Sequence, residues 1–194
     1  KKDSRKMYAS AMKFFIIFAL LAFLIVMFYL DLLKYILTPG YWPGLKVVPI
    51  VMGAELLMGV YFNLSFWYKL IDETKWGAYF SILGCIAIIS LNILFVPKFG
   101  YMASAWAGFV GYLLVTILSY VVGQKKYPIQ YDLLGIAKYI LLAAILFLAA
   151  QLVEIESLVP RLAFRTLLLL LFVIYLIKKD LPLKKIPIIN RFIN

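Results

Sequence analysis

The chain contains six separate apolar runs, each long enough to cross a membrane as a helix. The hydrocarbon core of a bilayer is about 30 Å thick and takes about 20 apolar residues of α-helix to cross. Runs of this length lie at residues 12–30, 47–67, 76–96, 102–122, 133–152 and 158–177. They are far longer than the roughly ten alternating residues of a barrel strand. The sequence therefore predicts an all-α integral membrane protein with six transmembrane helices.

The composition excludes soluble classes of protein. Of the 194 residues, 65% are hydrophobic and 15% are charged, and the mean hydropathy is +0.99. Soluble domains average about 45–50% apolar and about 25% charged residues. The chain has no histidine and one cysteine, Cys85. An internal disulfide is therefore impossible, and we expect no metal site, since the commonest metal ligands are missing.

The basic residues lie between the apolar runs and predict an orientation in the membrane. There are twenty Lys and Arg against nine Asp and Glu, a net charge of +11. If the runs cross alternately, fifteen basic residues fall on one side and five on the other, and basic loops favour the cytoplasm. We expect both ends of the chain to be cytoplasmic and no nucleic-acid partner. The side with five holds Lys34, Lys46, Lys98, Arg161 and Arg165.

Glu55 is the only acidic residue deep inside an apolar run. Charged side chains at the centre of a bilayer are costly, so they usually face a bundle interior or an aqueous cavity. Helical spacing places Glu55, Gly59 and Asn63 on one face. Two interpretations stay open: Glu55 lines a cavity and takes up a proton or a cation, or it is a structural carboxyl, protonated or paired with another helix. Asn92 is a further candidate for a hydrophilic path, unless it bonds its own backbone.

Two further sets of residues are candidates for contact with ligands or other helices. Asp31, Lys34 and Lys46 flank the first connector, where they are candidates for the mouth of a cavity that meets an anionic head group, or for interfacial anchors. Small residues at helical spacing predict close packing of the third and fourth runs. These are Gly84, Ser104, Ala107, Gly108 and Gly111.

The motifs of common enzymes are missing from the sequence. We find no phosphate-binding glycine loop, no metal-spaced acidic motif, no nucleophile elbow and no loop with paired carboxylates. We therefore expect a protein that is not an enzyme and that has no cofactor.

Two segments resemble a known family. They are YFNLSFWYKLIDETK at 61–75 and LNILFVPKFGYMASAWA at 91–107. The second segment contains an asparagine, then a proline, then a glycine, and it ends in a helix start with small residues. This order resembles the carboxy-terminal half of bacterial oligosaccharide (lipopolysaccharide/O-antigen) flippases. These proteins form the polysaccharide transporter branch of the multidrug/oligosaccharidyl-lipid/polysaccharide exporter superfamily.

The resemblance implies a protein of about fourteen helices in two lobes around a central cavity. Residues 1–122 would be four helices of the carboxy-terminal lobe, and 123–194 two additional helices. Because the chain starts with charged residues and no methionine, we expect it to be part of a longer protein.

The resemblance also implies a function in cell-surface polysaccharide biosynthesis. The protein would move undecaprenyl-pyrophosphate-linked oligosaccharide from the cytoplasmic to the periplasmic leaflet of the bacterial inner membrane by ion-coupled alternating access. The implied partners are this lipid-linked oligosaccharide, a coupling proton or sodium ion, membrane lipids and other polysaccharide-assembly proteins. The alternatives are a cation-coupled multidrug exporter, an integral-membrane enzyme of polysaccharide assembly and a scaffold subunit.

Overall fold

The computed structural model describes residues 2–153 and 155–181, and within them the chain is helical without any strand. The first helices are α1 (Lys2–Phe28), α2 (Leu30–Leu33), α3 (Val48–Leu64) and α4 (Phe66–Leu70). They are followed by α5 (Lys75–Phe99), α6 (Tyr101–Lys126), α7 (Leu133–Leu152) and α8 (Leu158–Lys179). Between α2 and α3 lie two 3-10 helices, Lys34–Ile36 and Pro39–Val47.

Six helical segments are long and apolar enough to cross a membrane. This confirms the predicted all-α class with six spans, and the chain is a multi-pass membrane protein. The segments are Ser4–Phe28, Pro39–Leu70, Lys75–Phe99, Tyr101–Lys126, Leu133–Leu152 and Leu158–Lys179.

The helices differ from the predicted spans at their ends. α1 begins at Lys2 instead of residue 12, and α5 continues through Pro97 to Phe99. The second span is composite, since a 3-10 helix leads into α3, and Ser65 separates α3 from α4. Apolar composition marks only the part of a helix that suits hydrocarbon, whereas backbone hydrogen bonding continues into polar sequence. The 3-10 start of the second span contains Pro39 and Pro43, which have no N–H to donate to an α-helical ladder.

The spans pack in the order α5, α6, α3, α1, and α7 and α8 both lie against α1. The contacts of Gly53 with Phe109 and of Leu57 with Thr116 show that α3 and α6 run in the same direction. Gly100 alone joins α5 to α6, with φ of +60° and ψ of −147°. A side chain would be strained at this positive φ, so glycine permits the abrupt reversal.

Successive spans alternate in direction, which gives the bundle two polar ends. The Lys13 end contains the starts of α1, α5 and α7 and the ends of α4, α6 and α8. The Asp31 end contains α2, both 3-10 helices and the starts of α6 and α8. The predicted cytoplasmic residues Lys1, Lys184, Lys185 and Arg191 lie outside the described residues.

Buried apolar residues form two cores. The larger lies between α1, α7 and α8 and includes the fully buried Ile17, Leu24, Tyr139 and Phe172. The smaller is an aromatic cluster where α3 and α4 meet α5 and α6, formed by Tyr61, Trp67, Tyr68, Phe80 and Val115. The division at residue 122 stays a prediction.

Candidate functional site

Glu55 lies at the middle of α3 with its side chain exposed on the surface of the bundle. Along the same face of the helix the side chains of Val51, Phe62 and Phe66 are also exposed. α3 itself lies between α1 and α6, which pack against its other faces. In the described part of the chain the Glu55 carboxylate has neither an ion pair nor a hydrogen bond. The structure thus presents a carboxylate at mid-span, next to apolar and aromatic side chains.

The two candidate asparagines each bond the preceding turn of their own helix. Asn63 is half-buried, and its Nδ2 donates to the carbonyl of Gly59 at 3.0 Å. Asn92 Nδ2 donates to the carbonyl of Ile88 at 2.8 Å. Because only Nδ2 takes part in these bonds, the amide oxygen of each asparagine remains available as an acceptor. Neither asparagine forms a hydrogen bond with Glu55. The structure does not bring the three predicted residues together in one cluster.

At the Asp31 end, the predicted mouth residues separate into different contacts. Asp31 pairs with two arginines of α8, its Oδ2 lying 2.9 Å from Arg165 Nη1 and 3.5 Å from Arg161 Nε. Lys34 instead lies over the Trp42 ring, 5.4 Å from its centre, and Lys46 is exposed. Asp31 therefore ties α8 to α2, while Lys34 is half-buried against Trp42 and Lys46 is left exposed.

The predicted small-residue faces lie partly at the contact between α5 and α6. A Cβ at Gly84 would lie 2.8 Å from Val115 Cγ1, and a Cβ at Gly111 would clash with Ile88. Ala107 is also buried. In contrast, Ser104 is exposed and a Cβ at Gly108 would meet open space. Close approach of the two helices thus depends on Gly84 and Gly111.

A charge network at the Lys13 end was missed by the sequence analysis, in which Lys13 was only one of the fifteen basic residues counted for the orientation. Lys13 Nζ lies 2.6 Å from Asp180 Oδ1 and 2.9 Å from Asp132 Oδ2. The hydroxyl of Tyr139 donates to Asp180 Oδ2 at 2.5 Å. Asp132 also caps α7, accepting from the backbone N–H of Gly135 at 2.9 Å. A lysine inside an apolar run requires an acidic partner, and that requirement was the signal in the sequence.

The network shifts the pKa of both carboxyls. Burial alone would raise the pKa of Asp180, but hydrogen bonds from Lys13 and Tyr139 outweigh it and lower the pKa below 3.8. Hydrogen bonds from Lys13 and the Gly135 N–H lower the pKa of Asp132 below the same value. Both carboxylates therefore stay ionised near neutral pH, and the network is a structural clasp of α1, α7 and α8.

A second ion pair stands at the same end on the other side of the bundle. Lys126 at the end of α6 lies 2.5 Å from Glu73 in the connector before α5, and Trp76 Nε1 donates to the same carboxylate at 2.7 Å. The pKa of Glu73 is lowered mainly by the hydrogen bond from Lys126 and to a smaller extent by the one from Trp76.

Comparisons of the chain with protein-family models, curated proteins and solved structures found no match. Among the described residues, no group of three or more His, Cys, Asp and Glu side chains is placed to hold a metal ion. The site is therefore interpreted from its own chemistry, in which Glu55 is an acidic group able to exchange a proton or to attract a cation.

Proposed function

We propose that the chain is the carboxy-terminal part of a bacterial inner-membrane flippase for lipid-linked oligosaccharides. The whole protein moves undecaprenyl-pyrophosphate-linked oligosaccharide to the periplasmic leaflet by alternating access, driven by a proton or sodium gradient. This chain contributes helices nine to fourteen of about fourteen, with the Lys13 end towards the cytoplasm. Glu55 takes up the coupling ion at the wall of the cavity.

The exposure of Glu55 at mid-span is the observation that carries this proposal. A carboxylate facing hydrocarbon is strongly disfavoured, so the Glu55 face needs a polar environment, which is water in a cavity or groups on another part of the protein. The Glu55 carboxylate stands beside exposed apolar and aromatic side chains and has no ion pair in the described chain. An unpaired carboxylate on the wall of a cavity is the kind of group that ion-coupled transport requires.

The other membrane charges support this assignment by contrast. Asp31, Asp132 and Asp180 are all paired with basic side chains, so they have fixed structural partners. Glu55 has none in the described chain and is free to respond to ions. The resemblance of segments 61–75 and 91–107 to oligosaccharide flippases supports a lipid-linked sugar as the cargo.

Glu55→Gln in the full-length protein tests the coupling role. We expect the rate of translocation of lipid-linked oligosaccharide in energised membrane vesicles to fall by about ten-fold or more, because an amide neither exchanges a proton nor balances a cation. Glu156→Gln is the matched control, since Glu156 is exposed in the connector before α8 and makes the same change of charge outside a span. We expect its transport rate to equal that of the wild type.

Three outcomes would count against the proposal in different ways. Wild-type translocation by the Glu55→Gln protein would remove the coupling role of this residue. If vesicles with the wild-type protein flip no lipid-linked sugar but extrude cationic drugs, the protein is the related multidrug exporter. If instead the sugar reaches the periplasmic leaflet without the protein and is left unpolymerised there, the protein is an enzyme or scaffold of assembly.

A further inference from the structure

A basic cleft of about 540 Å³ opens at the Lys13 end, between the start of α1 and the connector from α6 to α7. Its walls include the side chains of Arg5, Lys6, Ser10, Lys13, Gln130 and Asp132. We propose that this cleft binds the phosphate headgroup of an anionic phospholipid from the surrounding bilayer. This binding is separate from Glu55 and does not depend on the proposed transport.

The lengths of the helices place the cleft at headgroup depth. α7 and α8 have 20 and 22 residues, and at 1.5 Å per residue they measure about 30 Å and about 33 Å, which matches the hydrocarbon core. Lys13 is level with their ends, because it pairs with Asp132 before α7 and with Asp180 after α8. α1 continues from Lys13 to Arg5 for about 12 Å, so the cleft stands in the headgroup layer above the ends of α7 and α8.

The charges available to a ligand are those of Arg5 and Lys6. Lys13 is already bound by two carboxylates, and with Lys179, whose ammonium lies 5.3 Å from the centre of the Tyr139 ring, that network is close to neutral. Within the described residues neither Arg5 nor Lys6 has an ion pair. An anion is therefore attracted to the Arg5–Lys6 side of the cleft and kept from the Asp132 side.

Arg5 is held in place and has an unused donor. Its guanidinium carbon lies 4.3 Å from the centre of the Tyr127 ring, a cation–π contact that fixes the side chain without a hydrogen bond. Its Nε is buried and has no hydrogen-bond partner in the described structure. The terminal nitrogens of the guanidinium have no ion pair within the described residues, and a phosphate oxygen is the acceptor that a guanidinium matches best.

An apolar groove of about 300 Å³ favours a lipid over free phosphate. Met12 lines the groove next to Lys13 of the cleft, and Tyr131 and Leu133 line it on either side of Asp132. The groove therefore begins beside the cleft and runs towards the membrane centre, where it can hold part of an acyl chain. It continues between α1, α3, α6 and α7 along Ile16, Leu56, Val60, Thr116, Ile136 and Ile140.

The test measures lipid retention by the full chain. The protein is purified from nanodiscs that contain equal amounts of phosphatidylglycerol and phosphatidylcholine, and the bound lipid is counted by native mass spectrometry. We expect wild-type protein to retain phosphatidylglycerol. The double variant Arg5→Gln/Lys6→Gln should bind it about thirty-fold more weakly, because two basic residues at the surface are lost. The variant Lys75→Gln/Lys98→Gln loses the same charge from exposed positions outside the cleft and should bind like the wild type.

Several results would overturn the proposal. Equal retention by the Arg5→Gln/Lys6→Gln protein and the wild type would do so, as would equal loss in the Lys75→Gln/Lys98→Gln control. Release of the lipid by excess inorganic phosphate would show that the cleft is a site for free phosphate. If the double variant fails to fold, Lys6→Gln alone decides the question, because Lys6 is exposed, and we expect binding about five-fold weaker than wild type.

Discussion

The two halves of the bundle are held together by different interactions. Lys13 of α1 pairs with Asp132 before α7 and with Asp180 after α8. At the other end Arg165 of α8 pairs with Asp31 of α2 and donates to the Phe28 carbonyl at the end of α1. Within the described residues, α3, α5 and α6 have no ion pair in their membrane-crossing parts. Small residues, the aromatic cluster and the bond from Thr116 to the Leu57 carbonyl hold them instead.

This difference separates a fixed part from an adaptable one. Charged contacts at both ends specify one register for α8 on α1, because a shift along the axis breaks both at once, and α7 is fixed at the Lys13 end. Apolar and small-residue contacts between α3, α5 and α6 permit small sliding motions at lower cost. Glu55, whose carboxylate has no ion pair in the described chain, is on the adaptable side, which is where the proposed transport would need a moving wall.

Trp67→Ala, which removes the central ring of the aromatic cluster, should have the largest effect on stability. Trp67 is 1% exposed, and its Nε1 donates to Ser119 Oγ at 3.2 Å. We expect the free energy of unfolding, measured by SDS titration in mixed micelles, to fall by about 3–5 kcal/mol from the cavity left behind. Trp67→Phe keeps an aromatic ring but loses the hydrogen bond to Ser119. We expect this loss to lower the free energy of unfolding by about 0.6 kcal/mol. Equal losses in the two variants would mean that packing around Trp67 is not what holds α4 to α6.

Lys13→Met should have the next largest effect and should act on the other half. It leaves Asp132 and Asp180 without their shared cation, and we expect a loss of about 2 kcal/mol in the same titration, between the values for exposed and for buried pairs. Lys138→Met is the control, because Lys138 is exposed on α7 and has no ion pair in the described structure. If Lys13→Met and Lys138→Met lowered the free energy of unfolding equally, the ion pairs of Lys13 would not be what stabilises α7 and α8 on α1.

Acid pH should weaken the clasp, and the Lys13→Met protein should be less sensitive to it. Because the pKa values of Asp132 and Asp180 are lowered in the folded state from 3.8, their contribution to stability is present above pH 3.8 and is lost as the pH falls through the lower folded values. We expect wild-type and Trp67→Ala proteins to lose this stability on acidification and the Lys13→Met protein to lose less. A pH profile of Lys13→Met identical to that of the wild type would contradict the assignment.

The sequence predicted the spans well because each depends on local composition alone. Apolar runs of about twenty residues have few other stable states than membrane helices, so the six spans could be found one by one. The pairing of Lys13 with Asp180 could not, because the two are 167 residues apart and no local pattern links them. Likewise, helical spacing placed Glu55 and Asn63 on one face, but only packing shows that Asn63 bonds to Gly59 while Glu55 remains exposed.

Water access to position 55 tests the central claim most directly. In the full-length protein with Cys85→Ser, Glu55→Cys is labelled in intact membranes with a membrane-impermeant maleimide, and Leu141→Cys serves as the control at similar depth. Leu141 is exposed at the middle of α7 on the half that we interpret as fixed. If Glu55 lines a hydrated cavity, the thiol at position 55 ionises and reacts at least about ten-fold faster than the thiol at position 141. Equally slow labelling at both positions would show that the Glu55 face is closed to water and would contradict the account.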